Sequence, residues 1–504
     1  MKKQLTVLII CAVLCLAALV GYILLQTLPQ SDGAGETTAA ELVAGEVVGA
    51  GGRIQMFPQV KKDNVESLFV HNASGDYKIV RKDKALLIEG HEQILLDAEK
   101  LTGMIVNAGY TLSTYNAKVD AEDFDKYGLS AEDAAAYFVL TTTDGKRYTV
   151  YIGDRIPSGG GYYARYEGRN AVYVLDTTIK DDLLAPVTAL VRPLLAYPSQ
   201  MNSYYLMHTF ILSKGDDIVL AAEYLDPDAR SDLAAMSVHR ITAPAAYYAG
   251  DGYNSVLTLF CNFSGSSVCA IDLDDETLAR FGLDDPAYTL YAVNTAVDDK
   301  GNPTSLVENL LTFSEKQTDE DGSGFYYAAS AGFGIIARVE EITLDFLSWN
   351  LEKWLSANVF QINIANVASL AVRAEGIDEV FALSGDDNAS LAVEATAAGV
   401  APEMKNFRQF WKTMLSITLE GAVDFSEEEI TALTAQGNCM LTLTATTRAG
   451  IVQEFKFYPY SDRRVFYTVN GKGGFYVNRA MVDKVIADCT RVLSGEQIDA
   501  DIRY

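Results

Sequence analysis

A long-period internal repeat constrains this chain more than any other feature. Three stretches share one order of parts: "YTVYIGDRIPSGGGYYARYEGRNAVYVLDTTIKDDLL" from Tyr148, "NLLTFSEKQTDEDGSGFYYAASAGFGIIARVEEITLDFL" from Asn309, and "EFKFYPYSDRRVFYTVNGKGGFYVNRAMVDKVI" from Glu454. Each reads as an alternating strand, a polar turn, an aromatic strand, a glycine turn, a short apolar strand and an amphipathic helix. Aligning Gly168, Gly332 and Gly471 superposes Tyr163, Tyr327 and Phe466, with Tyr162, Tyr326 and Val465 one position earlier. Period-two aromatic and β-branched runs broken by glycine turns are the pattern of antiparallel meanders. The triple glycine 159–161 is matched by "GSG", one position off, and by "DRR". A phosphate cradle needs its glycines and a helix N-terminus behind them, and here a strand follows. The loop is a turn.

The repeat reaches upstream. "DFDKYGLSAEDAAAYFVLTTTDG" and "TLARFGLDDPAYTLYAV" share a helical end, an aromatic-Gly-Leu stop at Tyr127-Gly128-Leu129 and Phe281-Gly282-Leu283, and a following strand. In the third copy "EEEITALTAQGNCMLTLTATTRAG" takes that place. "VESLFVHN", "LMHTFILS" and "VASLAVRAEG" read as first strands. The expected modules are therefore 60–200, 201–358 and 359–504, each of ordinary domain size. Leu344, Leu347, Leu351 and Trp354 recur at three- and four-residue steps, which predicts one helix with an apolar face over 344–360.

Ahead of the modules, Lys2 and Lys3 precede an uncharged apolar run over residues 5–25, long enough to span a bilayer. No small-x-small cleavage site follows directly, so an uncleaved anchor is expected, with a cleaved signal peptide as the alternative. The lysines lie before the run and Asp32, Glu36, Glu41 and Glu46 after it, which places the N-terminus in the cytoplasm and the bulk of the chain outside. Residues 1–28 form the tip and anchor, and 29–59, rich in Gly, Ala, Thr and Glu, read as a flexible stalk. The fold class is α+β: an N-terminal transmembrane helix followed by three related modules of antiparallel β-meander plus helices. A formal charge of -27 argues against nucleic-acid partners. Beyond the apolar run, Cys261 with Cys269 and Cys439 with Cys489 are compatible with disulfides, and buried free thiols fit equally well.

The stretch from Tyr127 to about Leu184 resembles the bacterial domain of unknown function 4340 family. That family shows a Y-G-L-x-x-P stop, a strand ending in G-D, a glycine-rich turn and a Y-A-R strand. Here Glu132 stands at the proline position, whereas the second copy carries Pro286. The resemblance implies a membrane anchor, an α+β fold and gene company with ABC-type transporters of the gliding-motility kind. It implies no activity and no catalytic residues.

Catalytic signatures are sparse. "HEQIL" at His91 lacks the second zinc-ligand histidine, Leu95 standing in its place, and His71, His208 and His239 have no neighbouring ligand pattern. There is no G-x-S-x-G elbow, S-x-x-K pair or P-loop. The acidic runs 272–285 and 318–324 do not follow calcium-loop order, and the first reads as a helix start. Tyr162, Tyr163, Tyr166 and Tyr173 read as sheet aromatics first and sugar-stacking groups second. The expectation is a non-enzymatic, membrane-anchored interaction protein without a cofactor or metal, partnered by ABC-type transporter subunits. The alternatives are an envelope glycan or peptide receptor using Tyr162 and Tyr163, and a hydrolase built on unmarked carboxylates.

Overall fold

The computed structural model describes residues 42–118, 121–130, 136–199, 207–225, 238–244, 247–298, 300, 302–385 and 389–499. The expected anchor and residues 29–41 lie outside the described residues. Among the described residues no helix is long and apolar enough to cross a membrane.

The first sheet is built from β1 (Val65–Asn72), β2 (Gly75–Lys82), β3 (Ala85–Ile88), β4 (Leu112–Lys118), β5 (Ala136–Thr142), β6 (Arg147–Arg155), β7 (Gly161–Tyr166) and β8 (Ala171–Asp176). The second contains β9 (Met207–Lys214), β10 (Asp217–Tyr224), β11 (His239–Ala243), β12 (Ser267–Ala270), β13 (Tyr288–Val297), β14 (Pro303–Phe313), β15 (Gly324–Ser330) and β16 (Ile335–Glu340). The third contains β17 (Val367–Ala374), β18 (Ile377–Ser384), β19 (Ala392–Ala395), β20 (Leu419–Ala422), β21 (Leu441–Thr447), β22 (Val452–Pro459), β23 (Arg464–Val469) and β24 (Lys472–Asn478). Their spatial orders are β4-β8-β7-β6-β5-β1-β2-β3, β12-β16-β15-β14-β13-β9-β10-β11 and β20-β24-β23-β22-β21-β17-β18-β19. The three orders are the same, and every pairing is antiparallel. Even the bulge at the start of the first strand recurs, between Val65 and Ser67, Met207 and Thr209, and Val367 and Ser369. The three sheets fit the three expected modules.

A helix between the third and fourth strand of each sheet was not foreseen: α1 (Ala98–Gly109), α2 (Asp251–Leu259) and, further on, α5 (Met404–Leu415). In α5 the buried Phe407, Phe410, Trp411 and Met414 recur at helical spacing and form a single stripe. Two short helices, α3 (Asp275–Arg280) and α4 (Leu351–Trp354), precede it. In the third sheet α6 (Glu427–Leu433) starts on a capping box at Ser426 and Glu429, and α7 (Arg479–Ser494) follows the last strand.

Three expectations are corrected. Residues 42–59 are not a free stalk: Ile54–Gln55 pairs with β4 and Val47–Val48 pairs with it in turn, while Met56 and Phe57 are fully buried. The helix expected after every meander is a long α-helix only in the third copy, while the second has the four-residue α4. In the first only 3-10 turns form (Thr177–Lys180, Val187–Leu190). The predicted helix over 344–360 is broken into Asp345–Ser348 and α4, because Trp349, Asn350 and Leu355 adopt extended backbone. Leu344, Leu347 and Trp354 are nonetheless buried as the spacing required.

The chain forms two compact units, one of residues up to 85 together with 102–185, the other of 86–101 with 186–504. The second unit holds both the second and third sheets around one continuous core, which includes Phe210, Tyr253 and Trp354 together with Phe360, Phe407 and Phe455. Tyr247 and Tyr467 join these two sheets with their hydroxyls 2.5 Å apart.

One further element recurs. The segment leading into each module lies against the residues just before, or at the start of, that module's fourth strand. Met56 N donates to Thr111 O (3.4 Å), Leu195 N to Phe263 O (2.7 Å) and Val359 N to Ile417 O (3.0 Å). The side chains carried in are Met56 and Phe57, Leu195 and Ala196, Val359 and Phe360, all buried. Each strap covers part of a strand edge that would otherwise invite another chain.

Candidate functional site

The outer face of the first sheet begins at the aromatic-Gly-Leu stop. In the first copy a 3-10 helix, Ala121–Tyr127, ends at Gly128, and in the second α3 ends at Gly282, both with φ 65°. Leu129 N donates to Phe124 O (3.0 Å) and Gly128 N to Asp125 O (3.2 Å). Likewise Leu283 N donates to Leu278 O (2.9 Å) and Gly282 N to Ala279 O (3.1 Å). This pair of bonds needs a left-handed residue, which glycine adopts without strain. The stop buries Leu129 and Leu283 and delivers an aromatic ring to the sheet. Tyr127 meets Tyr163 edge-on at 4.9 Å, and Phe281 meets Tyr327 at 4.8 Å. In the third copy Phe425 stands 6.2 Å from Phe466, the residue aligned with those tyrosines. A Cβ on Gly153 would come within 2.2 Å of Tyr127 O, so only glycine fits at this place in β6.

Beyond the stop, four side chains stand in register across four strands: His71 opposite Tyr137, Tyr137 opposite Tyr151, Tyr151 opposite Arg165. His71 and Tyr137 stack at 5.0 Å, Tyr137 and Tyr151 lie 5.7 Å apart, and Phe69 stands 5.8 Å from Tyr137. The Arg165 guanidinium is held between the rings of Phe124 (4.5 Å) and Tyr151 (4.7 Å). Its Nε is enclosed and has no hydrogen-bond partner, and among the described residues no carboxylate pairs with it. At the other end His71 Nδ1 lies 2.5 Å from Asp76 Oδ1. All four members of the row are half-buried.

The same register positions in the other sheets hold different chemistry. They are Ser213, Thr289, Thr312 and Ala329 in the second, and Arg373, Thr442, Lys456 and Thr468 in the third. In the third, Arg373 pairs with Asp378 (3.0 Å) and Lys456 with Glu454 (2.7 Å). The frame therefore does not require rings or an unpaired guanidinium in this row.

The other candidates disperse. His91 Nε2 lies 3.7 Å from Asp272, His208 Nε2 is 3.1 Å from Thr295 Oγ1, and buried His239 meets Met207 O at 2.9 Å. In the acidic run 272–285, Asp274 caps α3 by accepting from Thr277 N (2.7 Å), as its helix-start reading required. In 318–324, Asp319 pairs with Arg338 (2.5 Å) and Asp321 accepts from Ser323 N (2.9 Å). The Arg338 guanidinium holds the Asp319 carboxyl below its ordinary range, and the Ser323 hydroxyl, followed by its amide, does the same for Asp321. Among the described residues no three His, Cys, Asp or Glu side chains gather to hold a metal. Cys261, Cys269, Cys439 and Cys489 are free thiols. Tyr162 and Tyr163 are strand neighbours and project to opposite faces, so they form no common surface. Tyr166 packs on Phe57 at 5.9 Å, and Tyr173 is buried and donates to Glu46 Oε1 (2.6 Å). Burial first, then that carboxylate, pushes the Tyr173 phenol well above its ordinary range.

No curated protein and no solved structure matches the chain. The Tyr-Gly-Leu stop, the Gly-Asp strand end and the Tyr-Ala-Arg strand all fall inside the one stretch where a family model does match. Residues 87–199, largely the first module, match the family described as Domain of unknown function (DUF4340).

Proposed function

We propose that this chain is a membrane-anchored, extracytoplasmic, non-enzymatic interaction protein that serves as an accessory subunit of an ABC-type transporter. The observation that supports it is one sheet topology used three times with the outward row changed each time: aromatic and cationic, small and neutral, then ion-paired. A constant frame with variable outward side chains is a scaffold for distinct contacts. The uncharged run at 5–25, with lysines before it and acids after it, supplies the anchor and its orientation. The transporter partner rests on the family resemblance alone.

In-cell crosslinking in the native membrane, followed by mass spectrometry, tests this reading. Recovery of a transporter's membrane-spanning and nucleotide-binding subunits, crosslinked to residues of the three sheets, is the expected result. Crosslinks confined to copies of this chain or to wall material would sink it.

A further inference from the structure

We infer that the row His71, Tyr137, Tyr151 and Arg165 is a binding site for an anionic glycan, a chain of pyranose rings bearing carboxylates. The inference goes beyond the accessory role and does not depend on it.

Two observations carry it. The row is not dictated by the fold, since the second sheet builds the same register with Ser213, Thr289, Thr312 and Ala329. Arg165 is fixed by two rings yet left without a carboxylate, in contrast to Arg373 and Lys456 at neighbouring places in the third sheet's row. A guanidinium held between two rings and left without a carboxylate keeps its terminal N–H groups for an anionic acceptor.

The choice of a glycan over an acidic peptide follows from the strands. β1, β5, β6 and β7 are interior strands with neighbours on both sides, so their main-chain groups are already paired. A peptide could not add as a strand here. Recognition must come from side chains: phenol hydroxyls and ring edges for sugar hydroxyls and C–H groups, Arg165 for the carboxylate, and His71 as a further donor.

The test uses the full-length protein in detergent and a hyaluronan hexasaccharide, which alternates glucuronate with N-acetylglucosamine, as the probe. Chitohexaose serves as the neutral control and poly-L-glutamate as the acidic peptide. Titration calorimetry is expected to give saturable hyaluronan binding that weakens as salt rises and is at least tenfold tighter than for either control. The variant Tyr137→Thr, Tyr151→Thr, Arg165→Ala installs the residues found at these positions in the second sheet and is expected to lose binding tenfold or more. Arg165→Ala alone, with an unchanged unfolding midpoint, is expected to abolish the preference for hyaluronan over chitohexaose. No saturable binding, equal binding of chitohexaose, tighter binding of poly-L-glutamate, or undiminished binding by a folded triple variant would each overturn the assignment.

Discussion

At the scale of single residues, the buried phenols set how the protein responds to alkali. Tyr77, Tyr173, Tyr247, Tyr253 and Tyr467 are all pushed well above the ordinary phenol range, burial being the largest cause in each. Tyr248 is pushed up to about 12, and burial also takes the Cys489 thiol up to about 12. A folded-state value raised above the unfolded one means that the fold favours the neutral acid. Its contribution is present in full below the unfolded value, 10.0 for tyrosine and 9.0 for cysteine, and is lost as pH climbs toward the folded value. Stability should therefore fall from about pH 9 upward, and these phenols should ionise only as the chain unfolds. Tyrosinate absorbance and far-ultraviolet dichroism followed together through an alkaline titration would decide it. Ionisation of all 28 tyrosines with the dichroism still native would contradict the burial described above.

Among the elements, the strap is the feature whose removal has the clearest cost. Phe57 is 1% exposed, stacks on Tyr148 at 4.5 Å and sits beside Met56, whose amide bonds across to Thr111. Phe57→Ala should destabilise its unit by about 3–5 kcal/mol, the range for losing a buried ring and leaving a cavity. Hydrogen exchange at the Met56 and Val60 amides should quicken more than at β1, and urea denaturation would give the magnitude; unchanged exchange at both amides would mean the strap is held by something else. This element also marks where the sequence stops being informative. Strand alternation and glycine turns are local, so the meanders, the first strands and the Gly128 and Gly282 stops could be read directly. The strap was read as a stalk because its strands are two residues long and pair with residues 112–113, a choice made by tertiary contact. The aromatic row was hidden for a related reason: its members lie at 71, 137, 151 and 165, and only the register of β1, β5, β6 and β7 brings them together. The stripe in α5, Phe407, Phe410, Trp411 and Met414, was legible at helical spacing and went unread.

For the molecule as a whole, three like sheets do not make three independent bodies. The core of the second unit runs without a break from the second sheet to the third, and Trp354 lies fully buried within it, 6.1 Å from Phe210, with its carbonyl accepting from Gly250 N. Ala422 N donates to Glu352 of the same short helix (2.8 Å), and the Tyr247–Tyr467 hydroxyl pair joins the same two sheets. Repeats that bury apolar surface in one another gain or lose stability together. Trp354→Ala, which removes a large buried ring, should therefore raise amide exchange across β9–β16 and β17–β24 alike. β5, β6 and β7 of the first sheet, which lie in the other unit, should keep their protection. Phe57→Ala should give the reverse pattern, so thermal unfolding of the full chain should show two transitions that the two variants move separately. If Trp354→Ala loosened the second sheet and left the third at its original protection, the shared core would be energetically divisible, and the repeat would set the cooperative units as well as the strand order.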